Sequence, residues 1–207
     1  MLLLISSLLL MSCGADKYMK KGEQFLALGE YYDAAYQFKQ AYTRTPVKER
    51  DTRGKRALKM AQCYQRINAT PKAIAAYRNA IRYNQASKED QLAYARQLLK
   101  NGDYRQAEKV FLMLKDSMPG NQLIANGLKS AQMAPEWKKQ GSRYIVKRMD
   151  VFNSRRHDYS PVLFGDDYDQ LYFTSTRNEA LGDELSGITG TKAGDIFLSE
   201  KDDRGKW

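Results

Sequence analysis

One recurrence constrains this chain more than anything else in it. Tyr18, Gly22, Phe25, Gly29, Tyr31, Ala34, Phe38, Ala41 and Pro46 alternate aromatic, small and turn-forming residues. Thirty-nine residues on, Ala57, Ala61, Tyr64, Ala73, Tyr77 and Ala80 hold the same relative places. Thirty-four further on, Ala95, Leu98, Gly102, Tyr104, Ala107, Phe111, Leu114 and Pro119 hold them again. A period of that length accommodates two antiparallel helices, neither of which can bury its apolar side alone. The copies must therefore stack. Ala34, Ala73 and Ala107 are small where two helices cross closely, and Phe38, Tyr77 and Phe111 fill the space toward the neighbouring hairpin. Gly29-Glu30-Tyr31 and Gly102-Asp103-Tyr104 turn the chain, and Pro46 and Pro119 end the second helices. The five extra residues of the first interval fall in the charged stretch 47–54, which reads as a loop. Residues 121–131 read as one more helix that caps the stack.

This pattern resembles the tetratricopeptide repeat. The expected fold is mainly α over residues 14–134: a helical-repeat solenoid of three hairpins plus a capping helix. The resemblance implies that the first helix of each hairpin lines a concave face. By register that face carries Met19, Glu23 and Leu26, then Lys55, Leu58, Gln62 and Arg66, then Leu92, Arg96, Leu99 and Lys100. An apolar floor with cationic edges suits an extended or helical acidic peptide. The same positions also fit the solvated inner face of a solenoid that binds through other surfaces. Some tetratricopeptide proteins clamp the C-terminal carboxylate of chaperones with Lys and Asn. Here those places hold Met19, Leu58 and Leu92, so that activity is not expected.

Charge divides the chain. The net charge is +10. Residues 14–140 hold 24 Lys and Arg against 12 Asp and Glu, a net of +12, and residues 141–207 hold 10 against 12, a net of −2. A basic surface can meet nucleic acid, anionic lipid or an acidic protein, and the N-terminus chooses among them. Residues 2–11 are an apolar run too short to span a bilayer comfortably, but suited to the core of a secretion signal. No positively charged stretch precedes it. Leu10-Met11-Ser12-Cys13 resembles the lipobox of bacterial lipoproteins. That implies cleavage of 1–13 up to the cysteine, acylation of Cys13 and attachment to a membrane. A buried helix with an incidental cysteine is the alternative. An exported lipoprotein would rarely meet nucleic acid, so none is expected as a partner. Cys63, the only other cysteine, reads as a small buried hydrophobe, and His157 is the only histidine. No metal, cofactor or catalytic triad is expected from such a set.

The pattern changes after Pro135. Residues 135–142 read as a linker. Strands are expected at 143–149, 171–175 and 195–198, where aromatic and β-branched residues concentrate. Asp158-Tyr159-Ser160-Pro161, the run from Leu171 to Arg177, Gly187-Ile188-Thr189-Gly190 and Asp195-Ile196-Phe197 look like the opening blade of a WD40-like β-propeller. Lipobox, tetratricopeptide repeats and propeller, in that order, resemble a Bacteroidota lipoprotein family that continues into an OmpA-like peptidoglycan-binding domain. The resemblance implies a place at the periplasmic face of the outer membrane. It also implies protein partners in the envelope or in the type IX secretion and gliding machinery. Peptidoglycan would be met only through a C-terminal domain that residues 143–207 do not include. A propeller needs at least four blades and these residues supply about one, so a truncated, poorly packed blade is expected.

A second class of function is a propeller-based accessory to carbohydrate or peptide processing. No nucleophile–base pair supports it, and an enzyme is not expected. Asp166, Asp167 and Asp169 alternate as calcium ligands can, but the full loop spacing and its terminal Glu are missing, and a hairpin turn is the reading preferred. Asp183 and Glu184 lack a pocket for acid–base work, and Arg155-Arg156-His157 reads as a solvated turn.

Overall fold

The computed structural model describes the backbone of residues 2–207 and the side chains from Gly14 onward. The side chains of 1–13, that of Cys13 among them, therefore lie outside the description, and with them the expected acylation site. The chain forms two compact units, Met1–Gly141 and Ser142–Trp207.

Among its described residues the first unit holds seven helices: α1 (Leu2–Ala27), α2 (Tyr31–Arg44), α3 (Arg50–Arg66), α4 (Thr70–Arg82), α5 (Lys88–Asn101), α6 (Tyr104–Ser117) and α7 (Gln122–Gln140). Each packs on the next, and α5 also meets α7. Their ends follow from local chemistry. Ser87 and Asp90 form a reciprocal capping box at the start of α5. The Asn121 side chain caps α7 by accepting from the backbone N–H groups of Leu123 and Ile124. The turns within the first and third hairpins use Gly29 and Gly102, at φ 77° and 86°. The second hairpin has no glycine there. Asn68 takes the same left-handed conformation, at φ 57°, because its short polar side chain tolerates it.

The repeat alanines and aromatics form the core. Ala34, Ala73 and Ala107 are fully buried, as are Phe38, Tyr77 and Phe111. Burying each large side chain contributes roughly 1.5–3 kcal/mol. Glycine permits two of the closest approaches. The Phe38 ring lies on Gly22, and the Phe111 ring lies on Gly127 of α7.

Two expectations about this unit are corrected. The stretch 47–54 is not all loop: α3 begins at Arg50, so part of the insertion lengthens a helix. Asp51 in its first turn favours that start electrostatically. Residues 135–140 are not a connector either, because α7 runs through Pro135 to Gln140. Its last turns are exposed, so the proline ring projects into solvent rather than into the core.

The second unit is an antiparallel sheet of β1 (Asp158–Phe164), β2 (Gln170–Ser175) and β3 (Asp195–Glu200), in the order β1-β2-β3. The strand expected at 143–149 does not form. That stretch has no pairing partner, and Tyr144, Ile145 and Val146 are exposed. β-propensity without a neighbouring strand does not make a strand. The first strand is instead the Asp-Tyr-Ser-Pro segment. Pro161 is tolerated because β1 is an edge strand and its register shifts between Tyr159 and Val162, where Ser160 takes φ 52°. Leu171 and Phe173 of β2 are buried on one face, while Val162, Phe164, Tyr172, Ile196 and Leu198 are exposed on the other. Residues 165–169, with their three aspartates, connect β1 to β2 as a hairpin turn.

Candidate partner-binding face

The first helices of the three hairpins, α1, α3 and α5, are tied to one another by side chains. Glu23 of α1 pairs with Lys59 of α3 at 3.2 Å. Gln62 of α3 donates from Nε2 to Asp90 Oδ1 of α5 at 3.1 Å. Such exposed links are each worth under about 1 kcal/mol. Between the helices lies an open cavity of about 560 Å³, lined by Leu26, Tyr31, Gln62, Gln65, Arg66 and Tyr77, with Cys63 and Ala93. The Arg66 guanidinium lies 5.7 Å from the Tyr31 ring centroid, within cation–π range. Tyr77 donates from its hydroxyl to Gln65 Oε1 at 2.6 Å, which fixes the orientation of that amide at the cavity wall.

The expected groove residues divide into three groups. Leu26, Gln62 and Arg66 come together in the cavity. Met19, Leu58 and Leu99 are half-buried against the core, and Leu92 is buried within it at 7% exposure. Leu92 therefore packs rather than offers a binding surface. Lys55, Arg96 and Lys100 are exposed, and Glu23 is half-buried in its ion pair. Lys100 donates from Nζ to Asn68 Oδ1 at 2.7 Å, across to the α3–α4 turn. Tyr31, Gln65 and Tyr77 line the cavity but were not expected there. Register along the first helices cannot reveal Tyr31 and Tyr77, which belong to second helices, whereas Gln65 lies on α3 at the register place of Leu26 and Leu99.

Burial pushes the Cys63 thiol up to about 11, with Lys59 opposing and Glu23 adding to the shift. Burial likewise raises Tyr77, helped by Asp90 and Cys63. Neither group is an activated nucleophile at neutral pH. Among the described residues no three His, Cys, Asp or Glu gather as metal ligands.

The second unit has a polar anchor at the start of its sheet. Asp158 accepts from the Ser154 N–H at 2.6 Å, the Ser175 hydroxyl at 2.6 Å and the Arg177 guanidinium at 3.1 Å. Burial alone would raise its pKa. The bonds from Ser175, Ser154 and Arg177 outweigh that and hold it down at about 2. Arg177 also lies 4.8 Å from the rings of both Phe173 and Phe197. An apolar cavity of about 620 Å³ opens beside these groups, with Phe152, Tyr159, Leu163, Tyr168 and Trp207 in its lining.

No family model matches the sequence, and no curated protein matches it. Solved structures do match: 18 chains share the backbone arrangement. One is the C-terminal tetratricopeptide-containing domain of an FK506-binding protein from Plasmodium falciparum. It covers 63% of this chain and 94% of its own, at a TM-score of 0.52 and 15% identity. The helical unit has a tetratricopeptide-like fold. At that identity the likeness concerns the arrangement of helices alone, and the partners of the two proteins are separate questions.

Proposed function

We propose that this chain is a membrane-anchored docking scaffold whose tetratricopeptide-like unit receives an acidic protein segment. The observation that carries the reading is the open cavity between α1, α3 and α5. Leu26 and Tyr31 give it apolar wall, Arg66 stands at its edge, and Lys55 and Arg96 are exposed on the same helices. An acidic peptide would bury apolar side chains among the first and meet the second with its carboxylates. The net of +12 on residues 14–140 would speed its encounter.

The setting proposed is the periplasmic face of the outer membrane, with Cys13 acylated and the partner a component of the envelope or of the type IX secretion machinery. The lipobox-like Leu10-Met11-Ser12-Cys13 and the order of parts along the chain support it. The three-stranded meander is read in the same way as a blade of a WD40-like propeller. Apolar side chains on both of its faces, Leu171 and Phe173 on one and Val162, Phe164 and Tyr172 on the other, suit a sheet packed between neighbours. In relatives of that architecture, peptidoglycan would be held by an OmpA-like domain rather than by any residue of this chain.

The docking claim is tested by reversing Arg66, Arg96 and Lys100 to Glu in the full chain and repeating affinity capture from the native envelope. Recovery of the partner should fall more than about tenfold, since each reversal both removes an attraction and adds a repulsion. Unchanged recovery would remove this face as the docking surface. For the anchor, Cys13→Ala should leave the membrane fraction in a high-salt wash that strips electrostatic contacts, and its retention through that wash would refute acylation at Cys13.

A further inference from the structure

Away from the candidate face, at the edge of the stack where the α2–α3 and α4–α5 connections lie, arginines gather without ion pairs of their own. Arg50 and Arg82 both stand over the Tyr83 ring, with guanidinium carbons 5.9 and 4.9 Å from its centroid. Arg82 also donates from Nη2 to the Tyr83 hydroxyl at 3.2 Å. Arg53 stacks on Tyr42 at 4.3 Å, and its Nε is buried with no acceptor. Arg44 stacks on Tyr18 at 4.4 Å. Among the described residues none of these four arginines forms an ion pair. The carboxylates nearest in sequence, Glu49 and Asp51, do not neutralise them, and Asp51 accepts from Gln85 Nε2 at 3.4 Å instead.

Like charges held this close repel one another. Arg44 donates to Gln40, Arg53 to the carbonyls of Tyr42 and Thr45, and Arg82 to Asn79 Oδ1, which holds these guanidiniums in place through only part of their five N–H donors. Burial would raise the pKa of Tyr83, yet the hydrogen bonds and charges of Arg53 and Arg82 draw it below the ordinary phenol value. Arg44, Arg50 and Arg82 are exposed, and guanidiniums that no carboxylate neutralises match the oxygens of a phosphate.

The part of α1 around Asp16 lies at this same edge. Asp16 is paired with Arg56 of α3, which in turn reaches Thr45 at the end of α2. Asp16 is three residues from Cys13, a span of at most about 11 Å. If Cys13 carries lipid, this edge faces the bilayer.

We propose that Arg44, Arg50 and Arg82, supported by Arg53, form a docking surface for the phosphate headgroups of anionic phospholipid. It would orient the anchored scaffold with the α2–α3 and α4–α5 connections against the membrane. The orientation rests on the acylated-Cys13 reading, while the headgroup contact can be measured apart from it.

The test uses the full chain as Cys13→Ser, so that acylation plays no part, and co-sedimentation with vesicles of phosphatidylcholine alone or with phosphatidylglycerol added. Binding should rise with phosphatidylglycerol and weaken with salt. R50Q/R82Q should lower the phosphatidylglycerol-dependent part about fivefold per arginine removed. Three further variants separate site from bulk charge and fold. R50K/R82K should keep most of the binding. K138Q/K139Q, which removes equal charge at the exposed end of α7, should leave it nearly intact. R50Q alone, whose side chain donates no hydrogen bond among the described residues, serves if the double variant melts early. Equal losses from the α7 pair, or no loss from R50Q/R82Q, would overturn the proposal. So would competition by millimolar inorganic phosphate with no preference for phosphatidylglycerol, which would make the site one for free phosphate. Membrane retention of Cys13→Ala through the high-salt wash counts against the anchor and not against this result.

Discussion

Gly127→Ala is the sharpest probe of the way α7 closes the stack. Alanine in place of glycine in a helix ordinarily stabilises by about 1 kcal/mol. Here the new Cβ would sit 2.3, 2.5 and 2.8 Å from Cζ, Cε1 and Cε2 of Phe111. Carbon atoms rest comfortably at about 3.5–4.0 Å, so the ring or the helix must yield by about 1 Å. The ring has no room to yield: Phe111 is fully buried among Ala107, Leu114, Ile124 and Ala131, all at most 3% exposed. Overpacking of this kind costs about 1–3 kcal/mol, and three contacts inside the van der Waals limit put it at the upper end. Less the gain in helix propensity, the net is a loss of about 2 kcal/mol. For a chain of this size that lowers Tm by about 4–8 °C, read by circular dichroism at 222 nm. Adding Phe111→Leu should make the double variant more stable than the sum of the two losses, because the smaller side chain frees the space. An unchanged or raised Tm for Gly127→Ala would show that Phe111 is not held against α7, and the reasoning would fail.

The Asp158 network makes the second unit acid-sensitive. A carboxyl held at about 2 when folded, against about 3.9 unfolded, contributes stability that is full above pH 4. That contribution fades as pH falls toward 2. It amounts to about 2 kcal/mol for a side chain only 7% exposed. Asp158→Asn should lose that amount at pH 7 and flatten the dependence between pH 4 and 2, followed by near-ultraviolet circular dichroism; an unaltered acid profile would remove the network as its cause. Cys63, 1% exposed and with its thiol raised to about 11, should resist iodoacetamide at pH 8 until urea unfolds the chain. Prompt labelling of the native protein would contradict its burial.

The hairpins were legible where punctuation and packing agree. Gly29, Pro46, Gly102 and Pro119 mark the first and third hairpins, and the alanines and aromatics between them fall on the buried faces. The second turn is harder to see because Asn68 does glycine's work. The length of α7 is hidden by Pro135, which ordinarily ends a helix and here is carried on an exposed stretch. The segment 143–149 has a strand's composition but no partner, and pairing is not a local property. At the candidate face, repeat register placed Leu26, Gln62 and Arg66 together. It could not place Tyr31 and Tyr77 opposite them, since that depends on how the second helices pack. Nor could it distinguish Leu92, which the core absorbs, from residues that a partner could touch.

Crosslinking in native cells, read by mass spectrometry, tests the docking scaffold most directly. Lys55 and Lys100 lie on the first helices of their hairpins, while Lys39, Lys72 and Lys109 are exposed on second helices. The proposed docking predicts that crosslinks to one recurring partner gather at Lys55 and Lys100, and on acidic stretches of that partner. Crosslinks gathered instead at Lys39, Lys72 and Lys109 would contradict it, because the partner would then sit on the outer helices and leave the cavity between α1, α3 and α5 empty.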